Sequence, residues 1–415
     1  MGTVADKLLY LNGTKTAIKD AIVAKGVPVS DSDTFRSYAD KIGQIEGGGA
    51  PSTDEWQPNP NWWDIKKILD EDTRDYPGKV GVILYNFNDV SDFQLTYSGM
   101  TAVATSDGAF YTYAGNGSKV SHNWDTSKDK DDGRGFKTRW VIYYYTTDTT
   151  SNTFAQANKQ FGWDYNHIAY LVLRINCSVI GSFCNKQNLL EAIDNVGYSI
   201  SGTDFSSFCQ YCYSLTKLPD VLDTSSGTNF QNFCNNCSSL TKLPDVLDTS
   251  SGKNFSYFCY NCYSLTKLPD VLDTSSGTNF SNFCSNCPLT KLPDVLDTSS
   301  GTNFSNFCYN CSPLQEVPEI TMSANTTNIS SKYSGPFYAD QWLKEIYLTL
   351  PSNTNFWLDS STRISIESFR YIADHAPDVT ATPRTLTVGS TNISRINAAD
   401  PTIITDLNAK GWTVA

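Results

Sequence analysis

Hydrophobic and polar residues follow different rhythms along the chain. Over residues 1–46 the apolar positions recur at helical spacing. Thr14 caps a helix with Ala17, Ile18, Ala21 and Ile22 on one face and Gly26 as its stop, and Asp31 or Ser32 caps a second with Phe35, Tyr38, Ala39 and Ile42 on one side. Val4, Leu8 and Leu11 extend the spacing that reaches Ile18 and Ile22, interrupted at Asn12-Gly13. That line reads either as an oligomeric seam or as a helical hairpin packing on itself. Gly47-Gly48-Gly49-Ala50-Pro51-Ser52 marks a flexible linker over 47–55. From Trp56 the pattern turns aromatic and strand-like, with runs at 80–87, 93–97, 109–113, 139–145 and 168–175 separated by turn residues. These predict an antiparallel β-sandwich of about seven strands over residues 56–176.

Beyond residue 177 a single phrase repeats. Phe-Cys-x-x-Cys opens at Cys209, Cys234, Cys259, Cys284 and Cys308, and Ser-Leu-Thr-Lys-Leu-Pro-Asp-Val-Leu-Asp-Thr-Ser-Ser-Gly follows with few changes, a period of 25 residues. A unit this short cannot bury its own apolar face, so the copies must stack and share a core. Leu215, Leu218, Val221, Leu222, Phe230 and Phe233 keep neither helical nor alternating spacing for long, and Pro219 forbids a helix interior. Each copy is therefore expected to form one coil: a short strand near 215–218, a turn at Ser225-Ser226-Gly227, and a second segment at 229–233, with a rise of about 4.8 Å per coil. An imperfect coil around Phe183 and Cys184, with Gln187 at the second cysteine position, opens the stack. A degenerate one over 337–350, with Trp342, Leu343 and Ile346, closes it. The solenoid thus spans 177–350. The capping region, 351–415, is expected to hold a helix around Ile366, Phe369, Arg370 and Ile372, a strand at 385–388, and a helix from Asp400-Pro401 to Lys410-Gly411. The fold class that results is multidomain and mainly β: an N-terminal helical anchor, a sandwich, a repeat solenoid and an α/β C-terminal cap.

The 415 residues carry a net charge of −12 with no Lys/Arg block, which argues against nucleic acid and anionic membrane surfaces as partners. Residues 1–25 hold no continuous apolar segment, and no apolar run long enough to span a bilayer follows, so neither export by a signal peptide nor membrane insertion is expected. Gly2 is not a myristoylation site, because Asp6 stands where Ser or Thr is needed. Ten of the 12 cysteines lie in the five pairs, Cys184 keeps their register, and Cys177 is the last. Stacked coils would set them in columns. Small buried thiols, a thiolate metal site and disulfides between coils are the three readings, the last because one coil rise falls within the Cα separation a bridge accepts.

Lys217, Lys242, Lys267 and Lys291 would form one ladder, flanked by Asp220, Asp245, Asp270 and Asp294 and by Asp223, Asp248, Asp273 and Asp297. Exposed pairs of this kind contribute about 0–1 kcal/mol each, so a solvated face stands against a receptor-binding ladder. The variable positions carry more information. Gln210, Tyr211, Tyr213, Tyr257, Tyr260, Tyr263 and Tyr309 change where the framework does not, and tyrosines there either anchor a glycan or protein partner or lie half-buried at a coil edge. The loop from Ser127 to Gly135 has aspartates at calcium-like spacing without the glycine and distal glutamate of an EF-hand, which favours a solvated hairpin tip. His122, His167 and His375 are scattered, and no catalytic constellation, cofactor site or metal site is expected.

Asn261-Cys262-Tyr263-Ser264-Leu265-Thr266 and its copies resemble the leucine-rich repeats of BspA-like bacterial surface proteins, although the first cysteine of each pair stands where that pattern has an aromatic. Residues 14–19 and 29–39 resemble the short N-terminal module of bacteriophage tail and fibre proteins, and Trp56-Gln57-Pro58-Asn59-Pro60-Asn61-Trp62 looks like the opening of the next domain in proteins of that type. The tail Lys410-Gly411-Trp412-Thr413-Val414 is similar to the ends of proteins that combine these repeats. The resemblance implies a non-enzymatic structural virion protein, a tail or head fibre assembled in the host cytoplasm. Leu8, Leu11, Ile18, Ile22, Phe35 and Tyr38 would then serve particle anchoring, and Tyr213, Tyr260, Tyr263, Tyr309 with the four lysines would serve host attachment. Its implied partners are a capsid or tail protein and a bacterial surface glycan or protein, and its implied assembly is a homotrimer. A bacterial surface adhesin and a fibre-borne glycan depolymerase are the alternatives.

Overall fold

The computed structural model describes residues 58–415 apart from 86–91, 95–99, 113–118, 151–167, 220, 246, 271, 295, 323–324, 327–328 and 330, and of the strand residues 92–94, 100, 119–121 and 179–180 the backbone only. The chain divides into two units between Gln57 and Pro58, and residues 58–415 make up the second. The helices and seam expected over 1–46 lie outside the described residues.

The second unit begins with helix α1 (Ile65–Glu71), whose Asp64 carboxylate accepts the Lys67 N–H as a cap. Strands β1 (Gly78–Tyr85), β2 (Asp92–Gln94), β3 (Met100–Thr105), β4 (Phe110–Thr112), β5 (Lys119–Ser121), β6 (Lys130–Asp131), β7 (Lys137–Tyr145), β8 (Thr149–Thr150) and β9 (Ile168–Arg174) follow. The five runs expected from the sequence all contain strands; β3, β5, β6 and β8 are additional. β10 (Asn176–Ile180), β11 (Ala192–Asp194) and β12 (Ile200–Asp204) then lead into the repeats.

Among the described residues seven strands form one sheet, six of them from the region expected as a sandwich and β11 from beyond it, while β8, β10 and β12 belong to another. The order in the seven-stranded sheet is β11-β9-β1-β7-β3-β4, with β6 paired to β7, and β2 and β5 form a separate pair. The cause is visible in β1, Val80-Gly81-Val82-Ile83-Leu84-Tyr85, which is apolar at every position rather than at alternate ones and so suits a central strand covered on both faces. One face meets α1: a side chain at Gly81 would collide with Ile65 and Leu69. Trp62 packs there against Tyr85 and Tyr170, with centroids 5.8 and 6.1 Å away. The other face, with Val80, Val82, Leu84, Val141, Tyr143, Leu171 and Leu173, belongs to a buried cluster that continues through Cys177, Phe183 and Cys184 to Trp412. Because β11 pairs in parallel with β9, the sheet passes directly into the first coil.

The copies lie in parallel register, with single bridges linking Asp204 to Asn229, Asn254, Asn279 and Asn303 in succession. β13 (Leu222–Asp223) adds a short rung on β12. The expected strand near 215–218 is reduced to isolated bridges at Lys217 and Lys291. Between Phe230 and Cys237 alternate N–H groups bond the coil above, Phe230 to Asn254 O, Asn232 to Ser256 O, Cys234 to Phe258 O and Asn236 to Tyr260 O, at 2.7–2.9 Å. Those between close tight turns within the coil, Phe233 to Phe230 O and Cys237 to Cys234 O. This alternation forces two residues per coil into the left-handed region, and Asn, the side chain after Gly that tolerates it best, occupies most of these places: Asn232, Asn236, Asn261, Asn282, Asn286, Asn306 and Asn310, at φ 54–63°. The Ser-Ser-Gly turn needs its glycine for a different reason, since a Cβ on Gly252 would enter the edge of the Phe255 ring.

β14 (Glu316–Thr321) and β15 (Glu345–Thr349) pair in parallel after the last regular copy. β16 (Phe356–Trp357), β17 (Arg384–Thr387) and β18 (Trp412–Val414) make a parallel three-stranded sheet, joined by α2 (Ile366–His375), α3 (Ser390–Ala399) and α4 (Thr402–Ala409). The expected helices and strand are found here, with Ser365 capping α2, Asp400 accepting the Thr402 N–H, and Gly411 at φ 84° ending α4. α3 is additional. Trp342, expected among the apolar residues of the closing coil, lies instead at the surface beneath the Arg363 guanidinium, 4.1 Å from its ring.

Candidate functional site

Most of what repeats is consumed by the framework. Phe208, Phe233, Phe258, Phe283 and Phe307 continue a column begun by Phe183, with centroids 5.0–5.4 Å apart. Phe205, Phe230, Phe255, Phe280 and Phe304 form a second at 5.4–5.6 Å, tilted against the first. All 12 cysteines are buried free thiols. Cys212, Cys237, Cys262, Cys287 and Cys311 each donate S–H to the carbonyl of Cys184, Cys209, Cys234, Cys259 and Cys284 in the coil below, at 2.9–3.0 Å. Burial pushes Cys234, Cys262, Cys284 and Cys287 well above the ordinary thiol range, and pushes Cys177 and Cys259 up to about 12. Thiols held protonated are poor metal ligands and poor nucleophiles. Among the described residues no group of three or more His, Cys, Asp or Glu is placed to hold a metal ion.

One aspartate ladder is equally committed. Asp223, Asp248 and Asp273 accept the N–H and hydroxyl of Ser225, Ser250 and Ser275, and Asp297 accepts the Ser299 N–H, so each closes a turn. The lysine ladder is solvated: Lys242, Lys267 and Lys291 are exposed and Lys217 half-buried. Lys267 pairs with Asp270 at 2.9 Å and Lys291 with Asp294 at 3.3 Å within their own coils.

The tyrosines differ. Tyr213 and Tyr263 stand 42% and 59% exposed at the same register position, two coils apart with Ser238 between them. Tyr211 leans on Tyr213 at 6.1 Å and Tyr257 on Tyr260 at 5.3 Å. Farther along, Tyr309 stacks on Tyr338 at 5.7 Å, and Tyr333, itself exposed, meets Tyr338 edge-on. Tyr260 and Tyr309 are half-buried. The structure thus brings the six tyrosines singled out in the sequence into the repeat stack, Tyr211 and Tyr257 beside Tyr213 and Tyr260, and adds Tyr333 and Tyr338. Tyr333 and Tyr338 escape the sequence pattern because they lie just before and within the degenerate coil, where register is readable only from backbone bonds.

Elsewhere the loop 127–135 is only partly a solvated tip. β6 and β7 form the hairpin, but Asp132 is buried: its carboxylate accepts N–H groups of Arg134 and Phe136 and the Arg134 guanidinium. Burial opposes its ionisation, and these bonds outweigh that, holding it below the usual carboxylate range. Asp129 grips the buried Arg139 through two bonds of 2.6 and 2.8 Å. Both carboxylates are thereby occupied by protein donors. His122 joins Asp107 and Tyr111 at 2.9 Å on either side, a part-buried chain that no sequence spacing indicated. A cleft of about 390 Å³ lies among Lys291, Asp294, Glu316, Glu319, Glu345 and Tyr347. His167 and the residues expected to serve anchoring, Leu8, Leu11, Ile18, Ile22, Phe35 and Tyr38, lie outside the described residues. The chain matches no protein-family model, no curated protein and no solved structure.

Proposed function

We propose that this chain is a structural, non-enzymatic fibre protein of a bacteriophage virion: a leucine-rich-repeat solenoid with its C-terminal cap, presented to the host cell and held to the particle by an N-terminal helical module. The observation that carries the attachment role is the contrast within the repeats. The phenylalanines, thiols, asparagines and turn aspartates serve the frame, as do Tyr211 and Tyr257 at its left-handed positions, whereas Tyr213 and Tyr263 stand exposed at a position that holds Ser238 in the coil between them. Aromatic anchors of this kind dominate recognition energetics. The partners in this reading are a capsid or tail protein at one end and a bacterial surface glycan or protein at the other, with three copies per fibre.

Immunogold microscopy of phage particles with antibody against residues 177–415 tests the virion assignment. Gold on capsid or tail supports it, and gold confined to host envelopes overturns it in favour of an adhesin. Binding of the full chain to host cells tests the surface: Tyr213→Ala combined with Tyr263→Ala should weaken it at least tenfold with unchanged thermal stability, and undiminished binding removes these tyrosines from the contact.

A further inference from the structure

The cysteine column does not end in a cysteine. Cys308 N–H bonds Pro336 O and Asn310 N–H bonds Tyr338 O, as Cys284 and Asn286 bond Phe307 and Tyr309 one level below. Phe337 therefore stands at the first-cysteine position and Asp340 at the second. Ala339 confirms the register, since its φ of 69° repeats the left-handed Asn310. At the five levels below, this second position supplies a donor to the carbonyl of the first cysteine in the preceding coil.

Asp340 is completely buried. Its Oδ1 accepts the Cys311 N–H at 2.7 Å, and its Oδ2 is buried with no hydrogen-bond partner as an acceptor. No ion pair reaches it among the described residues, and the titratable groups that face it are the thiols of Cys311 and Cys308. A bare buried carboxylate is costly, and an oxygen lacking a donor, at the column position from which every level below donates to a peptide carbonyl, calls for a proton. We propose that Asp340 is carried as a neutral carboxylic acid whose Oδ2–H replaces the missing thiol, donating toward the Cys308 carbonyl and latching the closing coil to the stack in a pH-dependent manner. Loss of that proton to solvent leaves an uncompensated charge between the last regular coil and the closing one. Burial and the neighbouring Cys311 both push this carboxyl well above its ordinary range, consistent with the geometry.

The sign follows from linkage. The folded chain holds a proton that the unfolded chain releases near pH 4, so the folding equilibrium loses about tenfold per pH unit from there up to the folded value and is level above it. Asp340→Asn keeps the acceptor and supplies a permanent donor, and Asp340→Cys restores the column; both remove this slope. Chemical unfolding of the full chain from pH 5 to 9 should show the wild type falling behind Asp340→Asn as pH rises. Parallel profiles, or a wild type that gains on the variant, overturn the proposal. Infrared spectroscopy of the wild type gives a reading independent of any variant: a protonated carboxyl band persisting at pH 7 is expected, and its absence refutes the latch.

Discussion

The asparagines of the repeats separate a backbone effect from a side-chain effect. Asn261 (φ 59°) and Asn282 (φ 54°) both occupy the left-handed region, where an ordinary side chain costs about 1–2 kcal/mol. Only Asn261 also belongs to an amide ladder: its Nδ2 donates to Asn236 Oδ1 at 3.0 Å, and its Oδ1 accepts from Asn286 Nδ2 at 2.8 Å. Two part-buried bonds at about 0.5–1.5 kcal/mol each give the ladder about 1–3 kcal/mol at this position. Glycine removes the side chain but accepts the conformation, and alanine removes the side chain and strains it. Asn282→Gly should therefore be close to neutral and Asn282→Ala should cost about 1–2 kcal/mol, while Asn261→Gly loses the ladder and Asn261→Ala loses ladder and conformation together, about 2–5 kcal/mol. Urea unfolding of the full chain, read as the shift in midpoint at constant slope, measures all four. Equal costs for glycine at 261 and 282 would refute a stabilising ladder. An Asn282→Ala variant as stable as the parent would refute the backbone argument.

Three further outcomes follow from the described packing. Phe255→Ala removes a ring stacked between Phe230 and Phe280 and should cost about 3–5 kcal/mol by thermal unfolding, with Phe255→Leu costing less; equal effects would mean that the column does not pack as described. The buried thiols should react with a disulfide reagent at pH 8 only as the chain unfolds, all 12 becoming titratable in denaturant, and rapid labelling of the native chain would contradict their burial. Asp129→Ala strands the buried Arg139 guanidinium and should destabilise by about 3–5 kcal/mol, whereas unchanged unfolding would place Arg139 in water; added calcium should have no effect on the parent's stability.

The local signals in the chain were readable because each depends on near neighbours. The thiol and phenylalanine columns follow from one phrase repeated in register, the α4 cap from Asp400, Pro401 and Gly411, and the strands of the aromatic region from short apolar runs. The left-handed asparagines were readable in principle, as Asn recurring before Phe-Cys and before the second cysteine, yet their necessity appears only with the hydrogen bonds between coils. Tertiary structure alone decided the rest. Whether seven strands form one layer or two depends on which residues cover β1, and Ile65 and Leu69 of a short helix do so on one face. The Asp107–His122–Tyr111 chain and the place of Asp340 in a column of thiols depend on register between segments with no common motif. Repetition and capping are properties of sequence because their energies are local; pairing, burial and protonation depend on the residues that folding brings together, and those the order of residues alone does not reveal.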